Sequence, residues 1–327
     1  MSGMRRALPG LIAATIAAAG LAGCSSDAST SGGRASLSAT VSTSSATAVP
    51  LPVSSPTPNP ATTSASPATL AACPAPRPLS ALTVLARPPI RPDDLLTLPD
   101  GTLWVSDPDS GVILHLDAGG RVLQRIVLGQ APEGMVALGD GRIVLAEQTP
   151  NRLVTFTPPA TATTTLITLP PRGAAEGVDG IGQVPGSGDV LVPDSPHGTL
   201  LRVTAGGAAT QLASDLGRDV AATVGPDGAI WVAVEGAHGL VRVPAAGGAA
   251  QPVGNLAQLD DVVSAGGLLY VTALSAGEVV AVDPGTGADA VLVTGIGSAQ
   301  GLALLGDGRL AVADSSSGLI AVLDPCR

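Results

Sequence analysis

Acidic residues recur at two fixed points of a repeated pattern that fills the chain after about residue 79. Each repeat contains two β-strand patterns joined by a tight turn, and acids stand where the first pattern begins and where the second ends. The first set comprises Asp93, Asp94, Glu133, Asp179, Asp219, Asp260 and Asp261, and the second comprises Asp107, Glu147, Asp194, Glu235 and Asp314. Carboxylate oxygens are the ligands that calcium and magnesium take in proteins. We therefore interpret the first set as a candidate site for calcium or another divalent cation, with these expected ligands: Asp94, Glu133, Asp179, Asp219 and Asp260.

The second set of acids has two interpretations. An acid before a tight turn commonly accepts hydrogen bonds from its own backbone, which favours a structural role. His197 and His238 each follow an acid of this set, Asp194 or Glu235, by three residues. These four residues could form a ligand site or an acid and base pair, although a His in a polar turn is often only solvated. His115 lies within a strand pattern, so we expect it to pack.

The spacing of the repeats predicts the fold. In each copy the turn that follows the second strand pattern contains a Gly or an Asn, and these residues are 38 to 47 positions apart in consecutive copies. These turn residues are Gly111, Asn151, Gly198, Gly239, Gly277 and Gly318. This period is typical of one propeller blade, and alternating apolar residues between Gly and Asp turns indicate four short strands per copy. The sequence therefore predicts an all-β, six-bladed propeller of four-stranded antiparallel blades over residues 79–327.

The end of the chain predicts how the ring closes. The sixth repeat supplies three strands and then the chain ends, so its outer strand is absent. The strand pattern at Ala81 to Ala86 has no blade of its own, and we expect it to complete the sixth blade and remove the open edge. In such blades the first strand begins on the face where the second ends, which puts both acid sets on one face of the disc.

The three cysteines fit this closure. Cys73 precedes the donated strand, and Cys326 follows the strand with which it would pair. Outside the cytoplasm we expect a disulfide between Cys73 and Cys326, with two free thiols as the alternative.

Residues 1–23 have the pattern of an export signal, with Arg5 and Arg6 before an uncharged apolar run. The run ends in Leu21-Ala22-Gly23-Cys24, which resembles the lipobox of bacterial lipoproteins. That resemblance implies that Cys24 carries diacylglycerol and palmitate, and that the protein is anchored on the extracytoplasmic face of the membrane. The alternative is an ordinary signal peptide in which Cys24 is incidental. Residues 24–78 are rich in Ser, Thr, Ala and Pro, a composition that predicts a disordered tether.

Composition excludes one class of partner. The chain has 26 acidic and 16 basic residues, all of the latter Arg, for a net charge of −10. Nucleic acid needs a basic face, so we expect no such partner. We expect a monomer.

Two units carry a family resemblance: Glu133 to Glu147, and Gln300 to Asp314. They resemble the NHL-repeat propellers and the senescence marker protein and gluconolactonase group, and Val220 to Glu235 is similar to repeats of the streptogramin lyases. The first resemblance implies a non-catalytic module that binds a protein, glycan, small molecule or cation. The others imply a divalent-metal-dependent hydrolase or lyase. The lactonases bind their metal with a Glu, an Asp and two Asn, and none of Asn59, Asn151 and Asn255 begins a first strand. We therefore expect a binding or scaffold module that acts at the cell surface through its acidic face, with the enzyme as the alternative.

Overall fold

A computed structural model describes residues 68–171 and 177–327 of the chain. These residues form six β-sheets and two short 3₁₀ helices, Leu70–Ala72 and Leu79–Ala81. Neither helix has the length and apolar character needed to span a bilayer, and the search covered only the described residues. The predicted signal peptide, Cys24 and most of the predicted tether lie outside the described residues.

Each sheet is one blade, and its strands follow chain order from the propeller axis outward, except that N-terminal strands form the outer edges of blades 5 and 6. Blade 1 consists of Leu95–Thr97, Leu103–Asp107, Val112–Leu116 and Val122–Val127. Blade 2 consists of Pro132–Ala137, Ile143–Glu147, Arg152–Phe156 and Thr164–Thr168. Blade 3 consists of Gly182–Gln183, Val190–Asp194, Thr199–Val203 and Ala209–Ala213. Blade 4 consists of Asp219–Val224, Ile230–Val234, Leu240–Val243 and Gln251–Pro252. Blade 5 consists of Leu259–Ala265, Leu268–Ala273, Glu278–Val282 and Asp289–Thr294. Blade 6 consists of Ala299–Leu304, Leu310–Asp314, Leu319–Leu323 and the N-terminal strand Thr83–Ala86.

The core lies between successive blades. Every residue of the second strand is buried in all six blades, because both faces of that strand pack against a neighbouring sheet. Trp104, Trp231 and Tyr270 occupy equivalent places in blades 1, 4 and 5 and are 0% exposed. The inner strands contact one another in sequence around the axis, and the inner strand of blade 6 contacts that of blade 1. The prediction of a closed six-bladed ring is confirmed.

The N-terminal strand closes the ring as predicted. Thr83–Ala86 pairs antiparallel with the third strand of blade 6, with Val84 opposite Ala321. One part of the closure was not predicted: Arg77–Pro78 adds a fifth, parallel strand to blade 5, with Arg77 opposite Val293.

The ordered propeller begins earlier than the composition indicates. The backbone N–H of Ala68 donates to the carbonyl of Gly266 at 2.7 Å. Residues 68–78 therefore belong to the propeller rather than to the tether. Composition could not reveal this, because the segment is held by backbone hydrogen bonds and by only three side chains that pack against the core, Ala68, Leu70 and Cys73.

A disulfide joins Cys73 and Cys326 across a sequence separation of 253 residues. Cys326 is buried, and its backbone N–H donates to the hydroxyl of Tyr270 at 3.1 Å. Leu79 packs into the core that blades 5 and 6 share. The disulfide, this hydrogen bond and Leu79 together hold the N-terminal segment to blades 5 and 6.

Candidate cation site

Glycines at the starts of the inner strands bring polar side chains together at the axis. Glu133, Asp179 and Gln300 are each followed directly by a glycine. A Cβ on Gly180 would lie 2.9 Å from the carbonyl oxygen of Val220, and one on Gly301 would lie 2.7 Å from that of Asp93. Only glycine permits such close approach of two backbones. The dipeptide therefore places a polar side chain at the axis and lets the next blade pack tightly behind it.

These side chains surround a cavity of about 320 Å³ at the face where the inner strands begin. We call it the axial cavity. Its lining is Asp93, Pro108, Asp109, Ala131, Glu133, Gln148, Asp179, Arg218, Glu235, Asp260, Leu274, Ser298 and Gln300. A smaller cavity of about 130 Å³ is lined by Asp94 and Asp261 together with apolar residues and glycines of the inner strands.

Three carboxylates form a group that could hold a metal ion. One oxygen from each of Asp93, Asp94 and Glu133 lies within 4.8 Å of the other two. The Gln300 amide donates from Nε2 to Asp93 Oδ2 at 3.1 Å. Within the described part of the chain, Asp94 Oδ2, Glu133 Oε2 and Gln300 Oε1 are buried without a hydrogen-bond partner. Buried acceptors without a donor are costly, so these atoms indicate that a donor or a cation belongs here.

Burial raises the pKa of five carboxyls at this site, and repulsion between neighbouring acids adds to the shift in four of them. The pKa of Asp93 is raised to about 6, mainly by burial, although the hydrogen bond from Gln300 opposes the shift. Burial first, and then neighbouring acids, raise the pKa values of Asp94, Glu133 and Asp260 well above the usual range. Burial also raises the pKa of Asp261 to about 6. A bound cation would relieve this repulsion and favour the charged form of each group.

Arg218 links two acids in the wall of the axial cavity. Its Nη2 lies 3.0 Å from Asp179 Oδ2, and its Nε lies 2.7 Å from Glu235 Oε2. Glu235 therefore reaches the cavity from the end of a second strand, although the sequence analysis grouped it with the histidines. The guanidinium offsets part of the negative charge of the wall.

Asp219 lies apart from the other expected cation ligands. It pairs with Val234, the last residue of the second strand of blade 4, as Pro132 pairs with Glu147 in blade 2. Asp219 is thus one residue earlier in register than Glu133, and it does not line the axial cavity. The other expected ligands each line one of the two cavities: Asp94, Glu133, Asp179 and Asp260. Both of its carboxylate oxygens are buried with no partner among the described residues. Burial raises its pKa to about 7.

Most acids at the second-strand ends bond to nearby turns. Asp107 accepts hydrogen bonds from the backbone N–H and hydroxyl of Ser110 at 3.0 and 2.6 Å. Asp314 accepts hydrogen bonds from the hydroxyls of Ser316 and Ser317 at 2.7 and 2.6 Å. These contacts match the structural interpretation of the second set.

The histidines are not brought together. His197 Nδ1 lies 2.9 Å from Asp194 Oδ2, and Asp194 Oδ1 accepts a hydrogen bond from the Asn151 amide at 3.1 Å. His238 is exposed. His115 stacks on Trp104 with ring centroids 4.4 Å apart, which matches the packing role expected for it.

Several polar residues of the lining were not expected from the sequence, among them Arg218, Gln148 and Gln300. Gln300 carried a usable signal, because Gln300-Gly301 aligns with Glu133-Gly134 at the start of an inner strand. Arg218 and Gln148 carried none, because their roles depend on contacts between different blades.

Comparisons with known proteins bear on the fold. No protein-family model and no curated protein matches the chain. Regucalcin from Agrobacterium tumefaciens, solved as a calcium-binding protein, superposes with a TM-score of 0.64 at 19% identity, covering 75% of this chain and 94% of that one. A proposed gluconolactonase gives a TM-score of 0.62 at 16% identity, covering 76% and 91%. A streptogramin B lyase gives 0.56 at 17% identity, covering 71% and 78%.

These identities establish the fold alone. The chain is a six-bladed β-propeller with structural neighbours in the gluconolactonase and regucalcin group and among the streptogramin lyases.

Proposed function

We propose that this protein is a divalent-cation-binding propeller whose axial cavity binds a small molecule beside the cation. The observation that supports this most directly is the group of Asp93, Asp94 and Glu133, which offers three ligand oxygens within 4.8 Å of one another. Hard oxygen ligands of this kind suit calcium best, with magnesium next. The residues fit a cation because two of the three carboxylates have a buried oxygen with no donor in the described ranges.

Calorimetry on the full chain tests the cation site. Calcium should bind to the wild type, and Glu133→Gln should weaken binding by about tenfold or more, because it removes a charged ligand oxygen. Glu278→Gln removes an equal charge at the start of a third strand of blade 5, outside the lining of the axial cavity, and should bind calcium as the wild type does. An equal response of both variants would count against the site.

Acidification gives a second readout. Calcium binds charged carboxylates and must displace their protons, which these groups hold more firmly than usual. The pKa of Asp93 is about 6, so calcium affinity should be highest above that pH and should fall as the pH drops through it.

A metal-dependent hydrolase or lyase is the second candidate. It is favoured by the raised pKa of Asp93, because a carboxyl with a pKa of about 6 can exchange protons near neutral pH. The cation would polarise a carbonyl of the substrate. The structural neighbours, a lyase and a proposed gluconolactonase, support this candidate only at the level of fold. Lactone hydrolysis that requires calcium and is lost in Glu133→Gln would establish it, whereas calcium binding without turnover would leave the binding function alone.

We also propose a location, on the basis of the sequence. Cys24 is the expected lipid attachment point and lies outside the described residues. Ala68 is the first described residue, and its backbone N–H donates a hydrogen bond to the carbonyl of Gly266. Gly266 lies in the turn between the first two strands of blade 5, on the face opposite the axial cavity. A tether that enters there would direct the axial cavity away from the membrane.

A further inference from the structure

The axial cavity carries far more negative than positive charge. Among the described residues that line it, six are acidic, namely Asp93, Asp109, Glu133, Asp179, Glu235 and Asp260, and one, Arg218, is basic. Arg218 already pairs with Asp179 and Glu235, and exposed Asp109 pairs with Arg91 at 2.6 Å. One divalent cation would leave the lining negative. An anionic ligand would therefore meet repulsion, and a cationic one would be attracted.

The hydrogen-bonding character of the cavity agrees with its charge. Three buried atoms at this site have no partner within residues 68–171 and 177–327, and all three are acceptors: Asp94 Oδ2, Glu133 Oε2 and Gln300 Oε1. Asp260 lines the cavity, and its carboxylate has no hydrogen-bond donor or ion-pair partner in the same residues. The unpaired buried atoms at this site are thus all acceptors, and they need a donor. An ammonium group supplies three donors and a positive charge, and no acceptor.

The cavity is also too large for one ion. At about 30 Å³ of liquid volume per water molecule, a cavity of about 320 Å³ holds roughly ten waters. A calcium ion bound by Asp93, Asp94 and Glu133 would leave most of this space. Asp260 is outside that group of three ligands, so it stays available to a second, organic ligand.

We propose that the axial cavity binds a small organic amine beside the cation, with the ammonium group at Asp260. This inference rests on the proposed function, because the cation must occupy the other carboxylates and leave Asp260 free. It adds the chemical class of the ligand: a small molecule with a positive charge, with sugar acids and phosphate esters excluded.

The test is calorimetry on the full chain in calcium-saturated buffer with three probes of equal carbon number. These are 1,4-diaminobutane, uncharged 1,4-butanediol and anionic succinate. The diamine should bind to the wild type, whereas the diol and succinate should not. Asp260→Asn should weaken diamine binding by about tenfold or more, the usual effect of losing a charge-assisted hydrogen bond, and should affect calcium binding less. Asp289→Asn removes an exposed charge on the outer strand of blade 5 and should bind the diamine as the wild type does.

Each contrary outcome identifies which proposal fails. Calcium binding without diamine binding overturns this inference and leaves the proposed function intact. Diamine binding that is fully displaced by calcium, or matched by the diol, also overturns the inference. Diamine binding in a chain that binds no calcium contradicts the proposed function. If Asp260→Asn does not fold, as judged by circular dichroism, the three probes on the wild type still decide the question.

Discussion

At the scale of single residues, the position of a carboxylate in the register decides what it can do. Glu133 and Asp179 lie near the starts of their inner strands, one residue later in register than Asp219, and they line the axial cavity. Asp219 is buried between blades with neither oxygen paired in the described part of the chain. The same residue type is thus a candidate ligand in one blade and a source of instability in another.

The ionisation of Asp219 should reduce stability at alkaline pH. Burial raises its pKa from 3.8 to about 7 in the folded protein, so the folded state favours the protonated form. The stability that this proton contributes is fully present only below pH 3.8, and it is lost as the pH rises from there to about 7. Asp219→Asn should therefore raise the free energy of unfolding at pH 8 by about 1 to 3 kcal/mol and have a smaller effect at pH 5, where only part of this stability is lost.

Urea unfolding at both pH values measures this effect. Asp289→Asn, at an exposed site, should show the wild-type dependence on pH. A variant at position 219 that loses stability equally at pH 5 and pH 8 would mean that Asp219 is charged and stabilised in the folded protein.

At the scale of strands and turns, glycines set the dimensions of the site. A Cβ on Gly301 would lie 2.7 Å from the Asp93 carbonyl oxygen and 2.8 Å from Asp94 Cα. Gly301→Ala should therefore displace the two acids, lower stability by about 1 to 3 kcal/mol and weaken calcium binding. A Cβ on Gly306 would have no described atom within 4 Å, so Gly306→Ala is the matched control and should change neither property. Thermal unfolding and calcium titration of both variants make the comparison.

The disulfide should stabilise the closure of the ring. Its loop spans 253 residues, so the chain-entropy model gives a stabilisation of about 5 kcal/mol. We expect Cys73→Ser to lower the urea midpoint strongly, and reduction of the wild type to have the same effect. Mass spectrometry of the native protein that finds two free thiols would contradict the pairing.

The strands and their closure were predictable because they depend on local patterns. Gly and Asp turns with alternating apolar residues gave the blades, and the unpaired pattern at Ala81 to Ala86 gave the donated strand. The contact of Arg77–Pro78 with blade 5 was not predictable, since backbone pairing of two residues leaves no pattern in the sequence.

The site was predictable only in part. Acids at first-strand starts indicated where a cation could bind, but spacing could not show that Asp219 is one residue out of register. The bridge from Arg218 to Asp179 and Glu235 joins blades 3 and 4, and one sequence carries no record of such a contact.

At the scale of the whole molecule, the two faces of the propeller differ in what they carry. One face carries the axial cavity, and the other receives the N-terminal segment at Gly266. If Cys24 carries lipid, as we propose, a tether that enters at Gly266 should direct the cavity away from the membrane.

Replacing the lipid attachment residue tests this arrangement. Cys24→Ala should move the protein from the membrane fraction to the soluble fraction, because the resemblance to a lipobox assigns the anchor to this one cysteine. Fractionation followed by detection of the protein measures the change. Persistent membrane attachment of the variant would contradict lipidation at Cys24.

The central claim is that the acids at the axis hold a cation. A crystal structure of the protein grown with millimolar calcium tests it most directly. We expect a calcium ion at about 2.3 to 2.6 Å from carboxylate oxygens of Asp93, Asp94 and Glu133. Water alone at that position, or calcium bound only elsewhere on the surface, would contradict it.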